Sequence, residues 1–334
     1  MAVVEDSEGL RRLRPSWTAL EAQAGPVQPF ISWDWQASWW EAFGQGLALR
    51  CLVVGPPGDP VGIVPLYASR SEPGWLRFGG GLDVTDHLGF LSFPGRELEV
   101  ATAALQWALQ HAPGQALDLH FLVEGSAPLQ ALRAAADALG VHREDLPETV
   151  SPHLELASDF DVFLSQGLGK KDRHELRRKR RRLDQERPGW RLVDQGELGL
   201  EPALDTFFEL VRSSGQHKTA FLTPEVQAFM RRLALRLQER GWLRLQLLEA
   251  GGQLLAATFG FTVAGTWNLY NSGYRAELGA LSPGLLCVAE GIRVAIGEGC
   301  HSADFLRGDE AYKYHLGARD RTLWRLQIRG GDAT

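Results

Sequence analysis

The sequence predicts an α/β protein made of two successive units. Three observations carry that expectation. The chain has 334 residues, a length that favours two domains over one. Short apolar runs alternate with segments of helical periodicity from end to end. The order of these segments in the first half recurs in the second, with negligible residue identity between the halves. Strands interleaved with amphipathic helices build sheets flanked by helices, and the short turns between strands make those sheets mixed and mostly antiparallel.

The elements follow in order. Residues 15–24 read as a short helix opening on Pro15. Pro29-Phe-Ile-Ser32 introduces a second helix over 33–43, with Ser32 placed as its N-cap. Trp35, Trp39 and Phe43 recur every four residues, share one face and read as core. Residues 47–54 and 61–68 are apolar strands around Gly55-Pro-Pro-Gly-Asp-Pro60, a turn cluster. Shorter strands follow at 75–78 and 88–91, separated by a glycine-rich loop. Residues 100–111 form an amphipathic helix, 116–123 a strand, 128–139 a helix and 153–156 a strand.

The second half repeats the pattern. Residues 160–166 and 170–186 are helical, 190–193 a strand, and 201–213 and 224–240 amphipathic helices. Strands 243–250 and 253–262 form a hairpin about Gly251-Gly252. Residues 266–272 are a strand, 283–297 a helix, 302–306 a strand and 322–328 a final strand. The boundary falls near 152–161, giving a first unit of 1–157 and a second of 158–334.

Composition excludes several classes. No apolar run reaches the ~20 residues a membrane helix needs. The N-terminus, Met-Ala-Val-Val-Glu-Asp-Ser-Glu, is acidic and has no secretory core. Cys51, Cys287 and Cys300 have no metal-like spacing, and Cys51 and Cys287 sit in apolar runs. They read as buried free thiols in a reducing compartment, so a cytoplasmic location is expected and no metal. Net charge is −6, yet residues 170–182 hold nine Lys or Arg in thirteen positions. That basic segment reads as a solvated helix, as a contact for a polyanion such as tRNA, or as a contact for an anionic lipid surface. Oligomeric state is not legible.

The densest chemistry lies in Asp304-Phe-Leu-Arg-Gly-Asp-Glu-Ala-Tyr-Lys313. A strand ends at a Gly turn and is followed by two carboxylates, a phenol and an amine. Upstream, Ser282-Pro283-Gly284-Leu285 opens the helix 283–297. Ser can cap, Pro suits the first helical position, and Gly removes bulk beside the free N–H groups. A helix start of this kind either packs as a plain capped helix or receives a phosphate. In the strand 266–272, Tyr270 and Asn271 either fill the core or face a ligand. Asp86 and His87 follow Gly79-Gly-Gly81 and are either part of a tight bend or acceptor contacts; His217 and Lys218 occupy a loop between two helices and are either solvated or contacts for the acceptor or the donor phosphate. No Gly-x-Ser-x-Gly pattern or Cys–His pair makes a case for a covalent acyl-enzyme.

Ser282-Pro-Gly-Leu-Leu, the glycine-rich helix end and Asp-Phe-Leu-Arg-Gly-Asp-Glu-x-Tyr-Lys resemble the CelD/BcsL-like acetyltransferase group of the GNAT superfamily, which is related to the Fem-type peptidoglycan bridge transferases. The likeness is strongest from Trp242 to Ala318. It implies two GNAT-like units in tandem. It implies acyl-CoA, acetyl-CoA first, as co-substrate, with an amine or hydroxyl of a sugar or cell-envelope precursor as acceptor. It places donor contacts at Tyr270, Asn271, Ser282, Pro283, Gly284 and Leu285. Lys313 is the first catalytic expectation, near the transferred acyl group. Asp309 or Glu310 would be the base and Tyr312 the acid, with Arg307, Asp86, His87, His217 and Lys218 toward the acceptor. The usual pyrophosphate motif is displaced: Arg275-Ala-Glu-Leu-Gly279-Ala brings its Gly one residue late. An aminoacyl-tRNA-dependent transferase and a non-catalytic binding protein are the rival readings.

Overall fold

The apolar alternation of the first half becomes one mixed sheet covered by helices. A computed structural model of the chain describes residues 1–25, 28–56, 58–69, 74–111 and 116–329. Two compact units divide it, Met1–Val150 with Arg321–Thr334, and Ser151–Asp320. The boundary thus differs from the expected 157/158 break, and the last strand returns to the first unit.

In the first unit the strands are β1 (Ala2–Val4), β2 (Leu47–Val54), β3 (Gly62–Ser69), β4 (Trp75–Phe78), β5 (Leu91–Ser92), β6 (Ala116–Val123), β7 (His142–Val150) and β14 (Thr322–Arg329). They run in the order β1-β2-β3-β4-β6-β14-β7, with β5 on β3. The helices are α1 (Ser7–Arg12), α2 (Arg14–Gln23), α3 (Trp33–Phe43), α4 (Glu97–His111) and α5 (Ala127–Leu139). Ser32 caps α3 as expected, accepting from Trp35 N. Trp35 and Trp39 are buried, Trp35 donating to Thr85 Oγ1 at 2.9 Å, so the aromatic stripe is core. The expected strand at 88–91 is shorter: Leu88 makes only an isolated bridge to Leu122.

The opposite face of this sheet holds charge. Asp118 on β6 is fully buried and bonded by Arg77 at 3.3 Å and Arg325 at 2.6 Å. His120 lies 3.0 Å from Asp118 and 2.5 Å from Glu148. Burial alone would push the Asp118 carboxyl up, but His120 and Arg325 outweigh it and hold it well below the carboxylate range.

The second unit has β8 (His153–Glu155), β9 (Arg191–Asp194), β10 (Leu243–Ala250), β11 (Gln253–Val263), β12 (Thr266–Tyr274) and β13 (Ser302–Asp304), in the order β8-β13-β12-β11-β10-β9. Its helices are α6 (Phe160–Val162), α7 (Lys170–Glu186), α8 (Gln195–Leu198), α9 (Leu200–Ser213), α10 (Gln216–Phe221), α11 (Pro224–Glu239), α12 (Pro283–Gly297) and α13 (Ala311–His315). Gly251 and Gly252, at φ 59° and 79°, turn the β10–β11 hairpin, a conformation in which other residues would be strained. At Gly273 a Cβ would come within 2.3 Å of Val211 N, so α9 lies directly on β12. The core side of α12 buries Leu286, Val288 and Ile292. Residues 216–221 form a helix where a loop was expected. The three cysteines are buried and free. Among the described residues no helix is long and apolar enough to cross a membrane, and no group of three or more His, Cys, Asp or Glu is arranged to hold a metal.

Candidate functional site

A slot opens in the second unit where two parallel strands part. β12 and β13 pair only at Thr266–Ser302, Trp267–Ala303 and Asn268–Asp304. β12 then runs on to Tyr274, while the other chain turns away. Asp304 fixes that departure, accepting from Ser151 Oγ and from Leu306 N, both at 2.9 Å. Leu306 takes a left-handed conformation, φ 58°, so the strand expected over 302–306 stops at Asp304. Beyond Asn268, no described strand pairs with this edge of β12. Side chains occupy part of that edge: Ser272 N donates to Asn271 Oδ1 at 2.7 Å, Ser272 O accepts from Lys218, and Tyr274 N and O meet Ser214 Oγ at 2.8 and 3.3 Å. An extended ligand there would replace side-chain partners rather than another strand. Opposite Phe259 and Gly260 the register slips by one, leaving Tyr270 as a bulge. The strict two-residue alternation expected along this strand ends there, and the bulge bends the strand beside the slot.

The first unit shows why such a slot matters. There β4 and β6 are parallel only at Trp75–Ala116 and Leu76–Leu117. The gap beyond is filled by the protein's own chain, Leu88 N donating to Phe121 O at 3.1 Å. Asp86 and His87 belong to that filling. They are 8% and 1% exposed, with His87 Nδ1 3.2 Å from Gln28 Oε1. Both side chains are buried, and His87 lines a cavity of about 230 Å³ within the first unit, whose lining holds none of the other expected site residues.

At the far end of the β12 edge, α12 begins. Ser282 stands at its N-cap position but in a left-handed conformation, and its side chain makes no capping bond. This corrects the expected cap. Instead, Ser282 Oγ accepts from Lys179 Nζ of α7 at 2.7 Å. The first helical bond is Leu286 N to Ser282 O, 3.1 Å, so the N–H groups of Gly284 and Leu285 are not used by the helix. Pro283 has none to offer. Glu175 Oε1, 3.6 Å from Lys179 Nζ, offsets part of the positive charge that Lys179 brings to the positive end of α12, and an anion at the free N–H groups would offset more. Lys179 is the residue that sequence reasoning missed.

Beside the slot is a cavity of about 210 Å³ that brings together Tyr270, Asn271, His217, Lys218, Arg307, Glu310, Tyr312 and Lys313. Ser272, Phe221 and Phe305 line it as well and were not anticipated. Asp309 does not line it, which leaves Glu310, exposed like Asp309, as the carboxylate at the cavity. Lys313 is 2% exposed and donates to the carbonyls of Leu306, Arg307 and Gly308 at 3.2, 2.8 and 2.9 Å. Glu310 Oε2 is 2.9 Å away. An ammonium has three hydrogens, so Lys313 is committed to holding the Leu306–Gly308 turn. This corrects the picture of its ammonium aimed at the acyl group. Burial raises the Glu310 carboxyl, but the Lys313 hydrogen bond and charge, with Lys218, hold it below its ordinary value. Burial first, then the Glu310 charge, pushes the Tyr312 phenol up and keeps it protonated. Tyr312 packs edge-on to Phe305.

The exposed face of α7 carries Lys170, His174, Arg177 and Arg181 at one per turn, without partners among the described residues. Elsewhere on the helix Arg178 pairs with Glu175 and Arg182 with Glu186.

Residues 170–314 match the family model described as an acetyltransferase (GNAT) domain. No curated protein matches the sequence significantly. The crystal structure of FemX superposes with TM-score 0.67 at 13% identity, covering 94% of this chain and 95% of that one. A conserved protein of unknown function from Bacteroides thetaiotaomicron gives 0.64 at 12% identity, covering 98% and 100%. The C-terminal domain of a putative lysylphosphatidylglycerol synthetase from Agrobacterium fabrum gives 0.58 at 9%, covering 96% and 93%. At these identities the likeness is one of fold.

Proposed function

We propose that the second unit, whose residues 170–314 match the model of an acetyltransferase (GNAT) domain, moves an acyl group from acyl-CoA, acetyl-CoA first, to an amine or hydroxyl. One observation supports this above the others. A single open strand edge leads from a helix start flanked by Lys179 to a cavity that holds a carboxylate and a phenol. An acyl-CoA fits that layout: phosphates at Gly284 and Leu285 N–H with Lys179, an extended amide-bearing arm along residues 269–274, and the thioester at the cavity.

Glu310 takes the proton of the attacking amine or hydroxyl. Its lowered pKa keeps it ionised at neutral pH, which makes it available though weakly basic. As the acyl carbon joins the acceptor and the carbon–sulfur bond breaks, Tyr312 protonates the departing sulfur. The proton on Glu310 then restores the phenol, so one proton passes from acceptor to thiol. Lys313 positions the turn beside the reaction. The acceptor class, a sugar or cell-envelope precursor, rests on family association.

A second reading is supported by the unpaired basic face of α7, which suits a polyphosphate backbone and hence an aminoacyl-tRNA donor. Calorimetric titration separates the two. Saturable acetyl-CoA binding supports the first reading. Salt-sensitive binding of aminoacyl-tRNA without acetyl-CoA binding moves the donor to the second. Binding of neither overturns both and leaves a non-catalytic GNAT-like protein.

A further inference from the structure

We infer that the acceptor taken by this cavity carries an anionic group, a carboxylate or a phosphate, and that Lys218 holds it. The inference rests on the reading of the cavity as the acyl-transfer site and names the acceptor's chemistry.

Charge accounting around the cavity leads there. Three cationic side chains, Lys218, Arg307 and Lys313, line it with one carboxylate, Glu310. Glu310 is paired with Lys313 at 2.9 Å, and the Lys313 ammonium is shared among that carboxylate and three carbonyls. Lys218 is different. It projects from α10 onto β12, where its ammonium donates to Ser272 O and lies 3.5 Å from Ser272 Oγ. Among the described residues at least one of its three N–H groups has no acceptor, and no carboxylate is hydrogen-bonded to it.

A half-buried ammonium whose nearest carboxylate, Glu310, is already paired with Lys313 is costly, and evolution usually removes or pairs such a charge. Burial lowers the Lys218 pKa; the Glu310 charge pulls it back up in part, and repulsion from Lys313 opposes that pull. An anion seated in the cavity would supply both the missing acceptor and the missing charge. The position of Lys218 suits the acceptor: it reaches the cavity from α10, whereas the donor's phosphate end is held by Lys179 at α12.

Lys218 reactivity in the full-length protein tests this. An amine-acylating reagent is applied at fixed ionic strength in chloride, acetate or inorganic phosphate, and modification of each lysine is read by mass spectrometry. Protection of Lys218 by acetate or phosphate, at least about fivefold over chloride, is the expected result, since hydrogen bonds to charged groups are strong. Acetate protection identifies a carboxylate, phosphate-only protection a phosphate. Equal modification in all three salts overturns the inference. So does protection of Lys179 by phosphate while Lys218 stays reactive. In parallel, Lys218→Met is titrated with acetyl-CoA. Donor affinity within about twofold of wild type is expected, and a loss of tenfold or more assigns Lys218 to the donor and overturns its acceptor role. Absence of acetyl-CoA binding in the wild type, with Lys218 still protected by anions, removes the acyl-CoA reading alone.

Discussion

Lys179 Nζ and Ser282 Oγ meet at 2.7 Å across 103 residues of sequence, bringing a positive charge to the positive end of α12. In the free protein this charge opposes the helix dipole, an effect of about 0.3–1 kcal/mol, which Glu175 at 3.6 Å from the ammonium partly offsets. It becomes favourable when a phosphate bridges the ammonium and the free N–H groups.

Lys179→Met should therefore separate stability from binding. Unfolding free energy should change by less than about 1 kcal/mol, while acetyl-CoA affinity falls about tenfold or more. Calorimetry and urea melts on the same samples read both. Gly284→Val is a poorer probe, because a Cβ at Gly284 already comes to 3.0 Å from the Tyr274 ring.

Lys313→Met should destabilise as well as inactivate. It leaves three carbonyls of a tight turn without their donor and frees Glu310. A loss of about 2–4 kcal/mol is expected. A urea melt that matches wild type, with kcat strongly reduced, would instead return Lys313 to a direct role at the acyl group.

The pH dependence follows from Glu310. Its folded pKa is depressed, so its favourable pairing with Lys313 is present above the ordinary carboxylate value and lost as pH falls through the folded one. The acid limb of kcat/KM should lie below about 4.3, the unperturbed Glu value. Glu310→Gln should remove that limb and lower the rate about 10²–10⁴-fold. Asp309→Asn should leave the profile in place, since Asp309 does not line the cavity.

The first unit makes its own prediction. β14 lies between β6 and β7 and supplies Arg325 to the buried Asp118. A fragment of residues 1–157 lacks that strand and leaves Asp118 short of a partner. It should be insoluble or unfolded by circular dichroism, and adding residues 321–334 through a linker should restore a cooperative melt. Asp118→Asn in the whole chain should cost about 3–5 kcal/mol.

Much of this was legible in the sequence, for physical reasons. Helix 33–43 announced itself through Ser32 and its aromatic spacing, and the β10–β11 hairpin through Gly251-Gly252. The cluster after Asp304 pointed to the cavity because backbone turns and charged residues were adjacent in sequence. β7 was missed because it is an edge strand, His-Arg-Glu-Asp-Leu-Pro-Glu-Thr-Val, in which charge and Pro replace apolar alternation. α10 was missed because six residues give too little periodicity. The return of β14 to the first unit depends on pairing with β6 and β7 far back in the chain, which local pattern does not carry. The roles of Lys179 and Lys313 depend on what their ammonium groups touch, Ser282 in one case and three carbonyls in the other. Neither contact is encoded in spacing.

The central claim is that the open edge of β12, from the cavity to the start of α12, receives the donor. Amide hydrogen exchange of the full-length protein with and without saturating acetyl-CoA tests it most directly. The account predicts slower exchange at residues 269–274 and at Gly284 and Leu285, with the β4–β6 region of the first unit unchanged. Bound acetyl-CoA that leaves the β12 edge exchanging as in the free protein would contradict it.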